Sequence, residues 1–394
     1  MNLNPPAPRR PFALYAITRH GIEIAARLAQ ALPGADLFVS ERLFAHAPPG
    51  ARRMPLPMGP TLAETFTAYD CHVHVISVGA VVRMIAGLLR DKKSDPAVVC
   101  VDDAARFAVC LLSGHVGRGN AFTERVAGVL GATPVVTTAS DVRGTLTVDI
   151  LGRGLGWTLD DPDRNVTSGC AAVVNAAPVA FIQESGEPGW WPLDAALPPG
   201  VSYETSLDGV DPEAHEMLLI ATDRDLRATH PKHWARAVIY RPKSLVLGIG
   251  CDRDTPIELL SRGVEKILAE AGLAAASVKE VATVDKKKDE PAILSLCAAR
   301  GWPLRVFSAG ELDGVPGIEN PSEKVKDHVG TRGVCEPAAL LAAGAERLLV
   351  PKKKYTEEGP ANPARRSMTL AAARIPFPTR AATAAPSPRE PAHA

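Results

Sequence analysis

One stretch, residues 111–142 (LLSGHVGRGNAFTERVAGVLGATPVVTTASDV), limits what this chain can fold into more than any other. An apolar run, 107–112, enters a glycine-rich segment, Ser113-Gly114-His115-Val116-Gly117-Arg118-Gly119-Asn120. Phe122, Val126, Val129 and Leu130 then recur at helical spacing, Gly131 stops the repeat, and Pro134 opens another apolar run. Strand, loop, helix, strand is the repeating unit of a parallel α/β sheet. Helix N–H groups and the positive end of the helix dipole meet at such a loop, so it suits a carboxylate or phosphate. The same glycines also permit a tight turn with no ligand, in which His115 only caps the turn. The pattern is neither G-x-G-x-x-G nor a P-loop, so it does not point to a nucleotide.

The alternation continues on both sides. Strands are predicted at 12–17, 35–39, 71–77, 97–101, 107–112 and 134–138, and helices at 21–31, 80–90 and 118–130. Between 143 and 241 prolines and glycines become frequent, and the apolar runs 171–182, 217–223 and 237–241 predict strands of a small middle domain. From 243 the α/β pattern returns. Strands are expected at 245–249, 281–284, 304–307, 348–350 and 368–375, and helices at 291–300 and 337–343. Thr255–Glu258 and Ser308–Glu311 read as capping boxes. The expected fold is α/β: two α/β domains with mostly parallel sheets, 12–142 and 243–377, flanking a smaller middle domain, 143–242. Residues 1–11 and 378–394 are Pro- or Ala-rich and expected to be disordered.

Charge narrows the partners. Lys+Arg and Asp+Glu both number 44, so there is no general attraction to nucleic acid or to a membrane. No segment approaches the roughly 18 uninterrupted apolar residues of a membrane span. The N-terminus, MNLNPPAPRRPF, lacks the apolar core of a secretory signal. Seven scattered cysteines without a C-x-x-C suggest reduced thiols in a cytoplasm.

Ligands of open parallel sheets collect beyond the carboxyl ends of the strands. Three polar segments are expected there as loops: GCDRDTP (250–256), DKKKDE (285–290) and PKKKY (351–355). Their cations suit a polyanion, although lysine runs also serve as plain solvated faces. His72 and His74 alternate on a strand and could share a metal, but no third ligand accompanies them, and histidines on a partly exposed strand face are the favoured reading. Cys251 precedes a helix N-terminus, where a thiol pKa falls, yet no histidine is placed to activate it. Ser113 and His115 lie outside a G-x-S-x-G context. Asp285, Glu290 and Glu336 are each a general base or merely a helix cap.

The blocks SGHVGRGN and GATPVVTTASDV, together with ISVGAVVRMIAGLLRDKKSDPAVVCVDD at 76–103, resemble the cobalt-precorrin-5A hydrolase family of anaerobic cobalamin biosynthesis. LVLGIGCDRDTP, ATVDKKKDEPAI, FSAGEL, NPSEKV, GVCEPAALLAAG and RLLVPKKK are similar to its C-terminal domain, in the same order. The resemblance implies a hydrolase that opens the δ-lactone of a cobalt-corrinoid and releases acetaldehyde to give cobalt-precorrin-5B. It implies a small, anionic cobalt-corrinoid substrate whose acetate and propionate arms need cationic or N–H partners. It implies no cofactor and no protein-bound metal, since the substrate carries the cobalt, and transient contacts with neighbouring pathway enzymes. His115 and Glu290 are the expected catalytic residues. Ser113, Gly114, Gly117, Asn120, Arg83, Cys251, Asp254, Thr255, Lys286 and Lys288 are the expected substrate contacts. The C-terminal unit also resembles a free-standing cobalamin-pathway protein, so a non-catalytic corrinoid carrier is the alternative.

Overall fold

The computed structural model describes residues 8–139, 143–358, 362, 364–378 and 380. Most of the disorder expected at 1–11 and in the C-terminal tail, and the boundary placed at 142, lie outside the described residues, but Arg10 and Pro11 are not disordered: they open a strand. The chain divides into two compact units, Met1–Ile150 and Leu151–Ala394.

The first unit is built on seven strands: β1 Arg10–Ala16, β2 Ala35–Ser40, β3 Arg52–Met54, β4 Tyr69–Val75, β5 Ala97–Val101, β6 Phe107–Leu112 and β7 Thr133–Val135. Their order is β3-β2-β1-β4-β5-β6-β7, parallel at every pair except β5 with β6. Both faces are covered, which is why β1 is apolar at consecutive positions rather than alternate ones. Phe12, Leu14 and Ala16 join one core with Ile22, Ala25 and Leu28 of the Arg19–Ala31 helix and Phe122 and Val126 of the Gly119–Leu130 helix. Ala13 and Tyr15 face the other core, with Leu62 of the Gly59–Thr65 helix and Val81 and Ile85 of the Val78–Ile85 helix. The expected helix at 80–90 stops early, because Gly87 follows and Leu88 N–H turns back to Ile85 O at 2.8 Å.

The second unit holds two sheets. In the first, β8 Thr158–Leu159, β9 Val179–Gln183, β10 Val201–Glu204, β11 Met217–Ala221 and β12 Ala237–Arg241 lie in the order β10-β9-β11-β12-β8, with only β8 antiparallel. In the second, β13 Leu245–Cys251, β14 Val278–Val284 and β15 Leu304–Phe307 are parallel, while β16 Leu348–Thr356 and β17 Ser367–Arg374 complete the order β15-β14-β13-β17-β16 antiparallel. The fold is therefore α/β with three mostly parallel sheets. A buried ion pair stitches this unit together. Arg374 donates through Nε and Nη2 to Asp223 at 2.7 and 2.6 Å, and Ser244 Oγ reaches the same carboxylate at 2.9 Å. Among the described residues no helix is long and apolar enough to cross a membrane.

Three local expectations are corrected. The run 171–182 is not one strand: residues to 174 belong to the Val166–Val174 helix, and the strand starts only at Val179. Asn175 N–H closes the helix on Ala171 O, Ala176 sits at φ 55°, and Pro178 cannot continue it. The lysines of PKKKY lie not in a loop but in β16, where Lys353 and Lys354 pair with Leu370 and Thr369. Charged side chains on such an edge strand discourage further strand pairing. Ser308 and Glu311 do form a capping box, but Thr255 does not, because its Oγ1 donates to Asp252 O at 2.8 Å and the helix begins at Ile257.

Candidate functional site

The carboxyl ends of β13 and β14 are neighbours, and the loops that leave them close on each other. Arg253, from the first loop, donates through Nη1 to Asp289 Oδ1 at 2.9 Å and through Nη2 to Lys286 O at 3.2 Å. Beneath this clasp lies Glu290, fully buried. Its Oε2 accepts from Lys287 Nζ at 3.1 Å and stands 3.5 Å from Arg253 Nη1. Its Oε1 has no hydrogen-bond partner among the described residues. The reason is local. Glu290 is the N-cap of the Pro291–Arg300 helix, yet its side chain caps nothing. A buried acceptor without a partner costs about 1–3 kcal/mol and calls for a physical explanation.

The neighbours of Glu290 divide into those that turn inward and those that face water. Lys287 turns in, whereas Lys286 and Lys288 are exposed. Asp254 is exposed at φ 54°, with Arg366 at 3.8 Å. Cys251 is half-buried, and burial pushes its thiol up to about 11, with nearby Lys287 pulling it back only partly. It is therefore a neutral thiol near pH 7 and does not suit a nucleophilic role. Glu336 is different from Glu290, because both its oxygens are committed. Oε1 accepts from Asn320 Nδ2 at 2.8 Å and Lys352 N at 2.9 Å, and Oε2 accepts from Asn320 N at 2.9 Å. It ties the 320 loop to β16.

In the first unit the glycine-rich loop is folded tightly on itself. A Cβ at Gly117 would sit 2.4 Å from Ser113 Cβ, and one at Gly119 would sit 2.6 Å from Leu112 O. Ser113 adopts φ 56° and donates its hydroxyl to Asp95 O at 3.0 Å. The N–H groups of Arg118, Gly119 and Asn120 donate to His115 O, Ser113 O and Gly114 O at 2.9, 2.9 and 3.0 Å. Of the loop N–H groups expected to be free, those of Arg118, Gly119 and Asn120 are therefore taken by the loop's own carbonyls. Asn120 is buried and donates Nδ2 to Thr138 Oγ1 at 2.8 Å. His115 Nδ1 lies 3.3 Å from Asp149 Oδ1, both side chains being about one-fifth exposed. Arg83 is exposed on the Val78–Ile85 helix and folds back onto Gly79 O at 2.7 Å.

Comparison with known proteins decides the family. Residues 60–141 match the model described as Cobalamin synthesis G N-terminal, 146–242 the Cobalamin biosynthesis central region, and 245–373 the Cobalamin synthesis G C-terminus. The chain is 38% identical over 358 residues to a cobalt-precorrin-5A hydrolase of Priestia megaterium, spanning 88% of this chain and 92% of that one. It is 32% identical over 343 residues to a cobalt-precorrin-5A hydrolase of Salmonella typhimurium, spanning 85% and 93%. The chain belongs to the cobalt-precorrin-5A hydrolase family. Its C-terminal part alone is also 40% identical over 110 residues to Protein CobE of a Sinorhizobium species, 28% of this chain and 71% of that one.

For a cobalt-precorrin-5A hydrolase family member, the placement of the sequence candidates is uneven. Cys251, Asp254, Thr255, Lys286, Lys288 and Glu290 gather at the edge of one sheet. Ser113, Gly114, His115, Gly117 and Asn120 form one loop in the other unit, and Arg83 lies on a separate helix of that unit. One residue at these places was legible only as one cation of the DKKKDE run, and another escaped the sequence reading. Lys287 is the lysine that holds Glu290, and no pattern within KKK marks which of three turns inward. Asp149 pairs with His115 from a segment that carries no motif.

The strand histidines are a correction. His72 and His74 are not on a partly exposed face but fully buried. Their rings stack on Tyr15 at 5.8 and 4.6 Å, both inclined by 9°. His72 is held between Tyr15 OH at 3.1 Å and Phe66 O at 3.0 Å, and neither ring nitrogen of His74 has a hydrogen-bond partner among the described residues. Burial pushes His72 down to about 4 and His74 down to about 3. The two rings stack nearly parallel at 14° rather than converging on one point. Among the described residues no group of three or more His, Cys, Asp or Glu could hold a metal ion.

Proposed function

We propose that this chain is a cobalt-precorrin-5A hydrolase that opens the δ-lactone of the cobalt-corrinoid and releases acetaldehyde, giving cobalt-precorrin-5B. The observation that carries the reading is the match to relatives of that name along nearly their whole length, across all three family segments. Hydrolysis adds water across the acyl–oxygen bond of the lactone. Loss of the proton from the freed hydroxyl then lets its oxygen become the carbonyl of acetaldehyde as the carbon–carbon bond breaks. The electron pair stays with the macrocycle, which takes up a proton. Both steps need a base, and the freed carboxylate needs donors.

Glu290 supports the role of base in this reading. Lys287 and Arg253 hold one oxygen in place, and the other is uncommitted in a water-poor setting. His115 is a second candidate, with Asp149 Oδ1 at 3.3 Å from its Nδ1 to orient the ring. Lys286 and Lys288, exposed beside Glu290, suit the carboxylate arms of the substrate. Ser113, Gly114, Gly117 and Asn120 act in this reading by shaping their loop, and Arg83 offers an exposed cation. Cobalt arrives with the substrate, so the protein needs no cofactor of its own. We place the protein in the cytoplasm, in transient contact with the enzymes on either side of it in the pathway.

The match of the C-terminal part alone to CobE favours one second reading, a corrinoid-binding or carrier role without catalysis. Mixing the purified protein with cobalt-precorrin-5A separates the two. Stoichiometric and then catalytic release of acetaldehyde is expected; tight binding with no acetaldehyde would leave the carrier.

A further inference from the structure

The middle sheet of the second unit carries a cavity to which no role has been given above. Along this sheet the order is β10-β9-β11-β12. The chain therefore leaves β9 toward one side, and after β10 it crosses back to the other. The pairs β10–β9, β9–β11 and β11–β12 are all parallel, so their carboxyl ends share one edge. The crevice beyond β9 and β11 is where the strand order reverses, the place at which open α/β sheets receive ligands. Past the carboxyl end of β9, on its β10 side, opens a cavity of about 230 Å³ with Glu184, Ser185, Tyr203, Arg374 and Phe377 in its walls. Gly186 makes the turn out of β9 at φ 95°, and a Cβ on it would meet Pro242 at 2.7 Å and Trp157 at 2.8 Å.

The hydrogen-bonding groups of the wall fall into two classes. The acceptors are committed. Glu184 Oε1 accepts from Arg224 Nη1 at 2.9 Å, and its Oε2 accepts from Thr222 Oγ1 at 2.7 Å. Asp223, fully buried behind Arg374, accepts from that guanidinium and from Ser244. Two donors are not committed. Ser185 is 5% exposed, and its Oγ has no partner. Arg374 uses Nε and Nη2 on Asp223, and its Nη1 forms no hydrogen bond among the described residues. Phe377 and the ring of Tyr203 supply apolar wall. A half-open site with spare donors, committed carboxylates and an apolar lining selects an acceptor on a short hydrocarbon stem. The volume lies below the roughly 300–1,000 Å³ that encloses a whole drug-sized ligand, so only a fragment enters.

We propose that this cavity is a subsite for a short-stemmed carboxylate, received between Ser185 Oγ and Arg374 Nη1. The carboxylate is either an arm of the macrocycle, a source that rests on the hydrolase reading, or a free short-chain acid. Calorimetry on the full chain tests it with three probes: propionate, a cobalt corrinoid with free carboxylate arms, and the same corrinoid with every arm amidated. Arg374 carries a buried ion pair, so its variants risk misfolding. The Ser185 side chain makes no hydrogen bond among the described residues, so Ser185→Ala and the cavity-filling Ser185→Leu are expected to keep the fold, checked by their melting curves.

Ser185→Ala is expected to weaken the acid-armed corrinoid roughly ten-fold, the effect of one hydrogen bond to a charged group. Ser185→Leu should bring it down to the level at which the amidated corrinoid binds the wild type. If propionate alone shows this Ser185 dependence, the subsite stands and the free acid is its ligand. Equal binding of all three probes by wild type and Ser185→Leu overturns the subsite. Acetaldehyde release by the wild type reports separately. If it is absent while binding depends on Ser185, the hydrolase reading falls and the subsite survives. Normal release and unchanged KM in Ser185→Leu, with unchanged binding, would do the reverse.

Discussion

The glycine-rich loop at 113–120 and the polar loop at 285–290 both follow a strand and both precede a helix, yet they use their polar groups in opposite ways. The first returns the N–H groups of Arg118, Gly119 and Asn120 to its own carbonyls and sends the Ser113 hydroxyl to Asp95. The second buries a carboxylate, holds one oxygen with Lys287 and Arg253, and leaves the other without a partner. The glycines of the first loop answer a packing demand that any tight strand-to-helix turn would make. In the proposed reading, proton chemistry belongs where a local rule is broken, at the buried carboxylate of Glu290.

The largest effect expected from this contrast is on catalysis. Glu290→Gln should lower acetaldehyde release by roughly 10²–10⁴-fold while corrinoid binding is retained, the usual loss when a general base is removed. Single-turnover release with cobalt-precorrin-5A checks it, and His115→Ala is the companion measurement. A full-rate Glu290→Gln paired with a dead His115→Ala would invert the comparison and move the chemistry to the glycine loop.

His74 tests whether an unpaired buried group implies function at all. Burial holds His72 and His74 near 4 and 3, below the ordinary 6.5, so the unfolded chain binds protons first as pH falls. Stability is present above pH 6.5 and is lost as pH drops toward the folded-state values, at about 2 kcal/mol per histidine by pH 5. Urea unfolding of the first unit at pH 7.5 and pH 5 should show that loss. His74→Leu should halve it, with acetaldehyde release at pH 7.5 unchanged. A flat pH response would mean that the aromatic stack opens to water.

Gly117→Ala sharpens the structural half of the contrast. The added methyl falls 2.4 Å from Ser113 Cβ, so about 1–3 kcal/mol of overpacking is expected, seen as a lower melting temperature. A variant that melts normally yet no longer binds corrinoid would give the loop a ligand after all. The smallest effect is reserved for the exposed cations. Lys286→Ala with Lys288→Ala should weaken corrinoid binding several-fold at low salt and hardly at all at high salt, because exposed pairs are screened. Salt-independent affinity in the wild type would class them as a solvated face.

The sequence by itself determined the elements whose physics is local. The Pro291–Arg300 helix, the β15 strand Leu304–Phe307, the Ser308–Glu311 capping box and the Gly131 helix stop were legible from spacing and capping chemistry. The family was legible because blocks of motif kept their order along the chain. Tertiary structure decided the rest. PKKKY became an edge strand because β17 was there to pair with it, and a helix took half of the 171–182 run because small apolar residues suit either state. Two histidines entered the core because Tyr15, from a different strand, offered a ring to stack on. Which lysine turns toward Glu290, which aspartate meets His115, and which guanidinium nitrogen lacks a partner beside Ser185 all depend on contacts between residues far apart in the chain. Local periodicity does not encode such contacts, and they are what fix burial and unmet hydrogen bonds.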